Sequence, residues 1–475
     1  MYASPPIVVL PAGYARNINQ VHPNFNAALN FQHVTKMSEQ VTVADATVEA
    51  LRRAFTMVKN GRPGPVLVEF PTDILRAEIP DELVAEYKPA PKMKSGPDPQ
   101  SVSKIAEALV AAERPLIHVG QGVHYAKAWP QLKALAELLE APVMTTLGGK
   151  SAFPENHPLC LGMFGMHGSR YANYAVQGAD LLVALGARFD DRVTGKLSTF
   201  APEAKIVHLD VDPAEISKLV TATVPLVGDL KVLLPKLHEE VRRAFESHAR
   251  PDISAWKKKV ADWREKHPLR YKQAADGPLL PQYVIETLWK KTGGKAIVTT
   301  GVGEHQMFAA QWWKTSEPRQ FITSGGLGTM GFCMPSAIGI QLARPDALVI
   351  GIDGDGSFQM TLQDLATASE HKLPFKIFIL NNLFLGMVRQ WQELFYSERF
   401  AETPLADLPD LVKLADAYGC LGLRARTVAE LDRVVDQALA NDKGPTIVDV
   451  RIRPETKVYP MVPAGAPLND MIDGE

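Results

Sequence analysis

Two short motifs carry side chains that could bind a metal ion and a phosphate group. Asp355 lies between two glycines after the apolar stretch 347–353, and Asn381-Asn382 follows a second apolar stretch, 375–380. One carboxylate, one amide oxygen, a loop carbonyl and diphosphate oxygens suit Mg²⁺, which takes six oxygen ligands and few from the protein. Each motif alone is typical of a tight turn. Together, at two strand ends and separated by 24 residues, they predict a Mg²⁺–diphosphate site.

The apolar stretches before these motifs are predicted to be neighbouring strands that are buried on both faces, as in a parallel sheet. A right-handed crossover makes such strands parallel, so both motifs leave the same carboxyl edge, where open α/β sheets bind ligands. A helix is predicted within the crossover, and Thr361 with Asp364 three residues later resembles a capping box. The sheet would therefore bring Asp355 and Asn382 together.

The bulk composition is that of a globular protein with several domains. The chain has 475 residues, of which 46% are hydrophobic and 22% charged, and its formal net charge is −2. These values favour neither a nucleic-acid nor a membrane partner, and no apolar run reaches the roughly 20 residues that span a bilayer. Cys160, Cys333 and Cys420 lie far apart and match no disulfide or metal-ligand framework, which favours a reducing cytoplasm.

Strand and helix patterns alternate along the chain and divide it into three α/β segments. We predict domains at 1–90, 98–245 and 281–455, and the last 20 residues, which contain three prolines, are predicted to be a tail. A Pro- and Lys-rich linker is predicted at 88–100. The predicted strands of the two later segments are 115–119, 142–145, 181–185, 206–209, 296–299, 347–352, 375–380 and 446–450.

The first segment begins with Ile7–Leu10, which is predicted to be a buried strand. About 30 loop-like residues rich in Asn and Pro follow, which is long for a loop inside a compact domain. An amphipathic helix at 43–58 and a buried strand at 65–70 complete the segment.

A second group of charged side chains follows a buried strand of the middle segment. Two arginines and two aspartates lie within 188–192, and Asp210 ends the next strand. Arginines suit a pyrophosphate and a carboxylate suits a ribose diol, which favours a dinucleotide. A loop of surface ion pairs is the alternative on composition alone. Gly120-Gln121-Gly122 follows another strand, but Gly-x-Gly without a third glycine is a weak dinucleotide signal.

With their flanking residues, the motifs resemble the catalytic subunits of the acetohydroxyacid (acetolactate) synthase family of thiamine-diphosphate enzymes. The stretches 323–332 (TSGGLGTMGF) and 385–396 (LGMVRQWQELFY) carry the resemblance to this family, and 165–168 and 186–195 resemble its FAD-binding segment. The resemblance covers nearly the whole chain. It implies an α/β fold of tandem parallel-sheet domains: a partial pyrimidine-binding domain, a central FAD-binding domain and a diphosphate-binding domain.

The resemblance implies residues for Mg²⁺ and thiamine diphosphate. Asp355, Asn382 and the backbone carbonyl of Phe384 would bind Mg²⁺. The residues that would contact thiamine diphosphate are Val302, Gly303, His305, Gly328, Met330, Gly354, Gly356, Ser357, Gly386 and Met387.

Three residues would act in catalysis by the same resemblance. Met330 matches the bulky residue that bends the cofactor, Trp391 matches the residue that selects the second substrate, and Met387 lies one helical turn before Trp391. Without the resemblance, Met330 and Trp391 would each be interpreted as packing residues. Glu304 departs from the family, which usually has Gln there. An acid beside a diphosphate is unfavourable unless it faces away or is protonated.

The middle domain would bind FAD by the same resemblance, and members of the family that lack flavin also lack the arginine–aspartate stretch. The flavin would be mainly structural, because the implied reaction transfers no net electrons. The residues assigned to FAD are Arg62, Gly120, Gly122, Gly165, His167, Gly186, Arg188, Asp190, Arg192, Asp210 and Asp229.

The implied reaction is decarboxylation of pyruvate and carboligation to a second 2-oxoacid, pyruvate or 2-oxobutyrate. The product would be acetolactate or acetohydroxybutyrate, for branched-chain amino-acid biosynthesis. The alternatives are a glyoxylate-type carboligase and a non-catalytic cofactor-binding homologue. A homodimer or homotetramer is implied, because the cofactor of this superfamily lies between two chains, and a small regulatory subunit is a further partner by family analogy.

One family residue has no counterpart in the sequence. The glutamate that activates the cofactor precedes the segment that matches the start of this chain, and the first glutamate here is Glu39. We therefore expect a partial pyrimidine-binding domain and weak or no carboligase activity for the chain as written.

Overall fold

A computed structural model describes residues 4–19, 21–247 and 250–474 of the chain. Three parallel β-sheets with flanking helices follow one another along it, which confirms the predicted α/β fold of tandem parallel-sheet domains. No helix within the described ranges combines the length and the apolar character that a membrane crossing requires.

The first sheet has four strands, and the elements around it are β1 (Val8–Val9), β2 (Ala12–Gly13), α1 (Ala27–Asn30), β3 (Met37–Gln40), α2 (Thr47–Lys59), β4 (Val66–Pro71), α3 (Thr72–Leu75) and α4 (Asp81–Ala85). Strands β1, β2 and β3 all pair in parallel with β4. Every residue of β4 is buried, and α2 packs its apolar face against this strand.

Two predictions for this segment were wrong in part. Ile7 and Leu10 are half exposed, at 50% and 53%, and only Val8–Val9 between them forms a strand. Strand β1 is an edge strand that pairs only with β4, and its two residues are only partly buried. The long stretch predicted as loop contains a helical turn and β3, whose Met37 packs against the small core of this sheet.

The second sheet has six parallel strands in the order β10-β9-β8-β5-β6-β7, with an apolar core on each face. Its elements are α5 (Pro99–Ala111), β5 (Pro115–Val119), α6 (Gly122–Ala126), α7 (Trp129–Leu139), β6 (Val143–Thr145), β7 (Cys160–Met163), α8 (Arg170–Gly178), β8 (Leu181–Leu185), α9 (Asp191–Thr194), β9 (Lys205–Asp210), β10 (Val224–Val227), α10 (Leu230–Ser247) and α11 (Ser254–Lys266).

The third sheet also has six parallel strands, in the order β12-β11-β13-β14-β16-β15. Its elements are α12 (Pro281–Lys291), β11 (Ile297–Thr300), α13 (Glu304–Trp312), β12 (Phe321–Ile322), α14 (Cys333–Ala343), β13 (Val349–Gly354), α15 (Asp355–Phe358), α16 (Leu365–Glu370), β14 (Lys376–Asn381), α17 (Gly386–Phe395), α18 (Leu411–Ala417), β15 (Leu421–Ala425), α19 (Val428–Ala440) and β16 (Thr446–Arg451).

The segment after β16 is not the tail that the sequence predicted. Val458, Met461, Val462 and Leu468 are buried, and the last two belong to the core of the second sheet. The backbone N–H of Val462 donates to the carbonyl of Met166 at 2.8 Å. The segment therefore ties the third sheet back onto the second, because its few apolar residues reach a core that is distant in sequence.

Candidate active site

The carboxyl ends of β13 and β14 place the two metal-binding candidates side by side. These strands pair in parallel, and Asp355 and Asn382 follow directly after them. Oδ2 of Asp355 accepts a hydrogen bond from the backbone N–H of Leu383 at 2.7 Å, and Oδ1 of Asn382 accepts one from Phe384 N–H at 3.0 Å. The sheet edge and its loops thus fix both oxygen-bearing side chains, as the sequence predicted.

The environment of Asp355 fits a bound cation. The side chain is 2% exposed, and burial raises the pKa of its carboxyl from the usual 3.8 to about 7. A divalent ion would offset the desolvation of this carboxylate. The described part of the chain has no cluster of three or more His, Cys, Asp or Glu side chains at metal-binding distances. A single carboxylate beside amide and carbonyl oxygens is a donor set that suits Mg²⁺ completed by diphosphate oxygens.

The loop between β11 and α13 forms a cradle beside this edge. Nδ1 of the His305 ring would lie 2.6 Å from a Cβ added at Gly354, so only glycine fits there. The backbone N–H of Val302 donates to Oγ of Ser357 at 3.3 Å. Burial lowers the pKa of His305 from 6.5 to about 3, so its imidazole is neutral. The cradle offers backbone groups and a neutral ring at the N-terminus of α13, which suits a phosphate group.

Glu304 lies in the same cradle and is 8% exposed. Its Oε2 accepts a hydrogen bond from Nδ2 of Asn382 at 3.3 Å and would lie 2.0 Å from a Cβ added at Gly386. Burial raises the pKa of its carboxyl from 4.5 to about 8. The carboxyl is therefore largely protonated at neutral pH. A protonated acid can lie beside a diphosphate without the repulsion that a carboxylate would cause.

The turn that carries Met330 is held from two sides. The backbone N–H of Gly331 donates to Oγ of Ser357 at 3.0 Å, and its carbonyl accepts from Oγ1 of Thr361 at 2.8 Å. Thr361 therefore does not cap the next helix through its side chain, and the predicted capping box with Asp364 was wrong. The hydroxyl bonds instead to a turn that is distant in sequence.

Helix α17 presents the substrate-selecting candidates to the same space. Met387 and Trp391 are one turn apart on this helix and both line the cavity. The Trp391 ring lies 5.2 Å from the ring of Phe395, centroid to centroid. This face supplies an apolar wall opposite the polar edge of the sheet.

A cavity of about 860 Å³ extends from the edge of the third sheet at Asp355 and Asn382 to the second sheet. All site residues predicted from the sequence line it except Gly165. Gly165 lies behind the wall, where a Cβ would come 2.4 Å from the carbonyl oxygen of Arg192. Its N–H and C=O both bond to the side chain of Asn173, so it supports the wall without facing the cavity.

The half of the cavity that is lined by loops of the second sheet contains several charged side chains. Arg188 pairs with Asp190 at 2.9 Å, and Arg62 bonds to Glu215 at 2.5 Å. Burial raises the pKa of the Asp210 carboxyl from 3.8 to about 6. The surface ion pairs that the sequence left as an alternative do exist, but they lie in the wall of a large cavity. Both arginines can therefore meet an anionic ligand there.

The glycines of this half allow two loops to pack together. A Cβ added at Gly120 would lie 2.2 Å from the carbonyl oxygen of Gly186, and one at Gly122 would lie 2.6 Å from its Cα. No larger residue fits at these positions without separating the ends of β5 and β8. These glycines thus shape the cavity wall through contacts between two backbones.

Several lining residues escaped the sequence reasoning. Lys92, Met93 and Ser95 belong to the stretch predicted as a linker, yet they line the cavity, and Met93 N–H donates to Oδ1 of Asn60 at 2.6 Å. A Pro- and Lys-rich stretch has no periodicity, so the sequence carries no signal for this position. Glu215, which follows β9, also lines the cavity and was not predicted. Its acidic side chain after a strand is a signal that the sequence does contain.

Fold and site together define a class of enzyme. Two family profiles match the chain: the thiamine pyrophosphate enzyme central domain at residues 102–237 and the C-terminal thiamine-pyrophosphate-binding domain at 301–450. The chain is thus a thiamine-diphosphate-dependent enzyme, and its second and third sheets correspond to these matched regions.

The relatives narrow this class further. The acetolactate synthase of Mycobacterium leprae is 44% identical over 442 residues, which cover 91% of this chain and 70% of the relative. The acetolactate synthase large subunit of Corynebacterium glutamicum is 42% identical, over 92% and 70% of the two chains. The large subunit of acetolactate synthase isozyme 3 from Escherichia coli is 40% identical, over 92% of this chain and 77% of the relative. This chain belongs to the acetolactate synthase family.

Proposed function

We propose that the protein binds pyruvate in this cavity, decarboxylates it and joins the remaining two-carbon unit to pyruvate or 2-oxobutyrate. The products are acetolactate and acetohydroxybutyrate, precursors in branched-chain amino-acid biosynthesis. The observation that carries this proposal is that one cavity contains both the Asp355–Asn382 edge and the apolar wall of Met387 and Trp391. The expectation of weak activity and the two alternative functions receive no support from the relatives.

In this proposal Asp355, Asn382 and the carbonyl of Phe384 hold Mg²⁺, and the cradle of Val302, Gly303 and its neighbours holds the diphosphate. When bound, thiamine diphosphate supplies the electron sink that decarboxylation of a 2-oxoacid requires. A bound Mg²⁺ would offset the negative charge of the diphosphate beside the carboxyls of Asp355 and Glu304, whose pKa values are raised by burial.

The side chains around the cofactor position act by shape and by exclusion of water. Met330 lies in a turn held by two hydrogen bonds and would pack against thiamine diphosphate as a fixed support. Trp391 and Met387 would contact the second substrate, and the apolar wall that they form would exclude water from the site, which favours loss of the carboxylate of the first substrate. The larger contact area of Trp391 suits the extra methylene of 2-oxobutyrate.

The charged half of the cavity is proposed to bind FAD with a mainly structural role. Arg62 and Arg188 are the proposed pyrophosphate contacts, and Asp210 and Asp229 are the proposed hydroxyl contacts. The support is that all four line the cavity beside the loops at Gly120 and Gly186. Absorption near 450 nm in the purified protein, and its loss in R188A, test this assignment.

The remaining proposals concern organisation and assembly. We propose domains at 1–90, 98–245 and 281–455, and a cytoplasmic homodimer or homotetramer. Large apolar side chains of the first segment, including Ile18, Phe25 and Leu29, are exposed, and burial against a second chain would remove them from water. The names of the relatives from Corynebacterium glutamicum and Escherichia coli specify a large subunit, which supports a small regulatory partner for this chain too.

A coupled experiment tests the proposed reaction. The purified protein is supplied with thiamine diphosphate, Mg²⁺ and FAD, and acetolactate is measured with pyruvate alone and with glyoxylate in competition. We expect acetolactate as the product, and loss of activity with a chelator that added Mg²⁺ reverses. Preferred consumption of glyoxylate contradicts the proposed substrate, and cofactor binding without turnover contradicts the proposed activity.

A further inference from the structure

The loop that carries the proposed metal ligands is in a strained conformation. Leu383 has a φ of +60°, a left-handed value that a β-branched or bulky side chain seldom adopts. Its N–H bonds to Oδ2 of Asp355, and its carbonyl accepts from Leu405 N–H at 2.8 Å. Such a conformation persists only where the surroundings hold it, and here the neighbouring side chains supply that support.

The aromatic ring of Phe384 is held by an arginine from α17. The guanidinium carbon of Arg389 lies 4.1 Å from the centroid of the Phe384 ring and 5.5 Å from that of Phe400. The Arg389 side chain is 13% exposed, so these contacts are largely removed from water. A planar guanidinium at this distance from an aromatic face is a cation–π contact, which is strongest when desolvated.

The charge of Arg389 is neutralised and its orientation is fixed. Its Nε bonds to Oε1 of Glu393 at 2.8 Å, one helical turn away, and Glu393 is itself paired with Lys457. Without Glu393, a guanidinium this near the metal edge would repel a divalent cation. With it, Arg389 can support the loop at small electrostatic cost to Mg²⁺.

We propose that Arg389 is a positioning residue that holds the Phe384 ring and thereby aims the backbone carbonyl of Phe384 at Mg²⁺. The inference rests on the proposed metal site. Arg389 does not line the cavity, so it acts through Phe384 and touches neither the cofactor nor the substrate.

The test is calorimetric titration of Mg²⁺ into the full-length protein with saturating thiamine diphosphate. R389A is expected to raise the Mg²⁺ dissociation constant roughly tenfold, within the range of a desolvated cation–π contact. R389K is expected to restore little, because lysine keeps the charge but lacks the planar face. F384L retains the backbone carbonyl and should weaken binding by a similar factor.

A double-mutant cycle isolates the pair. The combined R389A and F384L changes are expected to weaken Mg²⁺ binding no more than either change alone, because both remove the same contact. R433A, on the exposed face of α19, is the matched control and should leave the dissociation constant unchanged. Where R389A does not fold, as judged by circular dichroism, F384L and R389K carry the comparison.

Four outcomes overturn the inference. Unchanged Mg²⁺ binding in R389A and F384L excludes the positioning role, and additive losses in the double variant exclude action through the shared contact. Full restoration by R389K shows that charge alone matters. Absence of Mg²⁺ binding by the wild type overturns the proposed metal site as well, whereas wild-type binding with unaffected variants overturns this inference alone.

Discussion

The side-chain amide of Asn382 donates a hydrogen bond to Oε2 of Glu304 at 3.3 Å, where the sheet edge at Asp355 and Asn382 meets the cradle between β11 and α13. This contact leaves Oδ1 of Asn382 oriented toward Phe384 N–H and the proposed metal position. Glu304, at a position where the resemblance implies Gln, thus bonds to a proposed metal ligand.

The first prediction follows from this contact. In E304Q the amide oxygen can still accept from Asn382, so Mg²⁺ affinity is expected to stay within roughly threefold of the wild type. E304L leaves the buried Nδ2 of Asn382 without an acceptor and is expected to weaken Mg²⁺ binding roughly tenfold. Calorimetry at saturating thiamine diphosphate measures both. Equal affinities in the wild type, E304Q and E304L would show that the contact does not orient Asn382.

The second prediction concerns the apolar wall. W391A removes the large contact surface that we assign to the ethyl group of 2-oxobutyrate, and one methylene in such a pocket is worth a factor of roughly 10 or more. The ratio of acetohydroxybutyrate to acetolactate, with both substrates present, should fall by about this factor. W263F, on α11 and outside the cavity, is the control. An unchanged product ratio in W391A is the contrary result.

The third prediction is a pH dependence of stability from Asp210. Burial raises the pKa of its carboxyl from 3.8 to about 6, so its contribution to folding is fully present below pH 4 and is lost as the pH rises through 6. Relative to D210N, the free energy of unfolding of the FAD-free wild type should fall by up to about 3 kcal/mol between pH 4 and pH 7.

Denaturant unfolding at several pH values measures this difference for Asp210. The D346N substitution, at an exposed position, is the control for removal of a carboxylate elsewhere on the protein. A constant difference for D210N would mean that Asp210 is solvated in the FAD-free protein.

The fourth prediction concerns a buried ion pair between the second and third sheets. Lys150 is 1% exposed and bonds to both oxygens of Glu155, at 2.6 and 2.7 Å, and Glu155 accepts from the backbone and hydroxyl of Thr315. K150M leaves Glu155 uncompensated and should lower the free energy of unfolding by about 3–5 kcal/mol.

A double variant at Lys150 and Glu155 distinguishes the free energy of the ion pair from that of side-chain packing. K150M combined with E155L removes both charges, so its loss of unfolding free energy should be smaller than the sum of the two single losses. K133M, which disrupts the exposed pair with Glu137, should change stability by less than about 1 kcal/mol. Additive losses for Lys150 and Glu155 would mean that the two side chains are not energetically coupled.

Local patterns predicted eight of the twelve strands of the second and third sheets, and β7, β10, β12 and β15 were missed. The strands at 115–119 and 181–185 were predicted with the bounds that the structure has, and the other predicted strands differ by one or two residues at one or both ends. Continuous apolar runs between turn residues identify strands covered on both faces. The prediction failed at Ile7–Leu10 and after residue 455, because the burial of these residues depends on which elements, distant in sequence, pack against them.

The capping box at Thr361 failed for a related reason. The local pattern predicts that the Thr361 hydroxyl bonds within its own helix. In the folded chain this hydroxyl donates instead to the carbonyl of Gly331 at 2.8 Å. Likewise, Lys92 lines the cavity although it lies in a stretch without periodicity, because the linker is held on one side by Asn60, which accepts from Met93 N–H, and on the other by Asp229, whose N–H donates to the Ser95 carbonyl.

The sequence by itself determined the chemistry at the sheet edge of this protein. Asp355 and Asn382 follow two strands that a right-handed crossover makes parallel, so their proximity is a consequence of short-range chain geometry. Only the tertiary structure decided what surrounds them: Glu304 bonded to Asn382, Arg389 against Phe384, and Arg62 in the same cavity as Trp391. The reason is that such contacts join segments whose distance depends on how whole sheets pack, and no local periodicity records that packing.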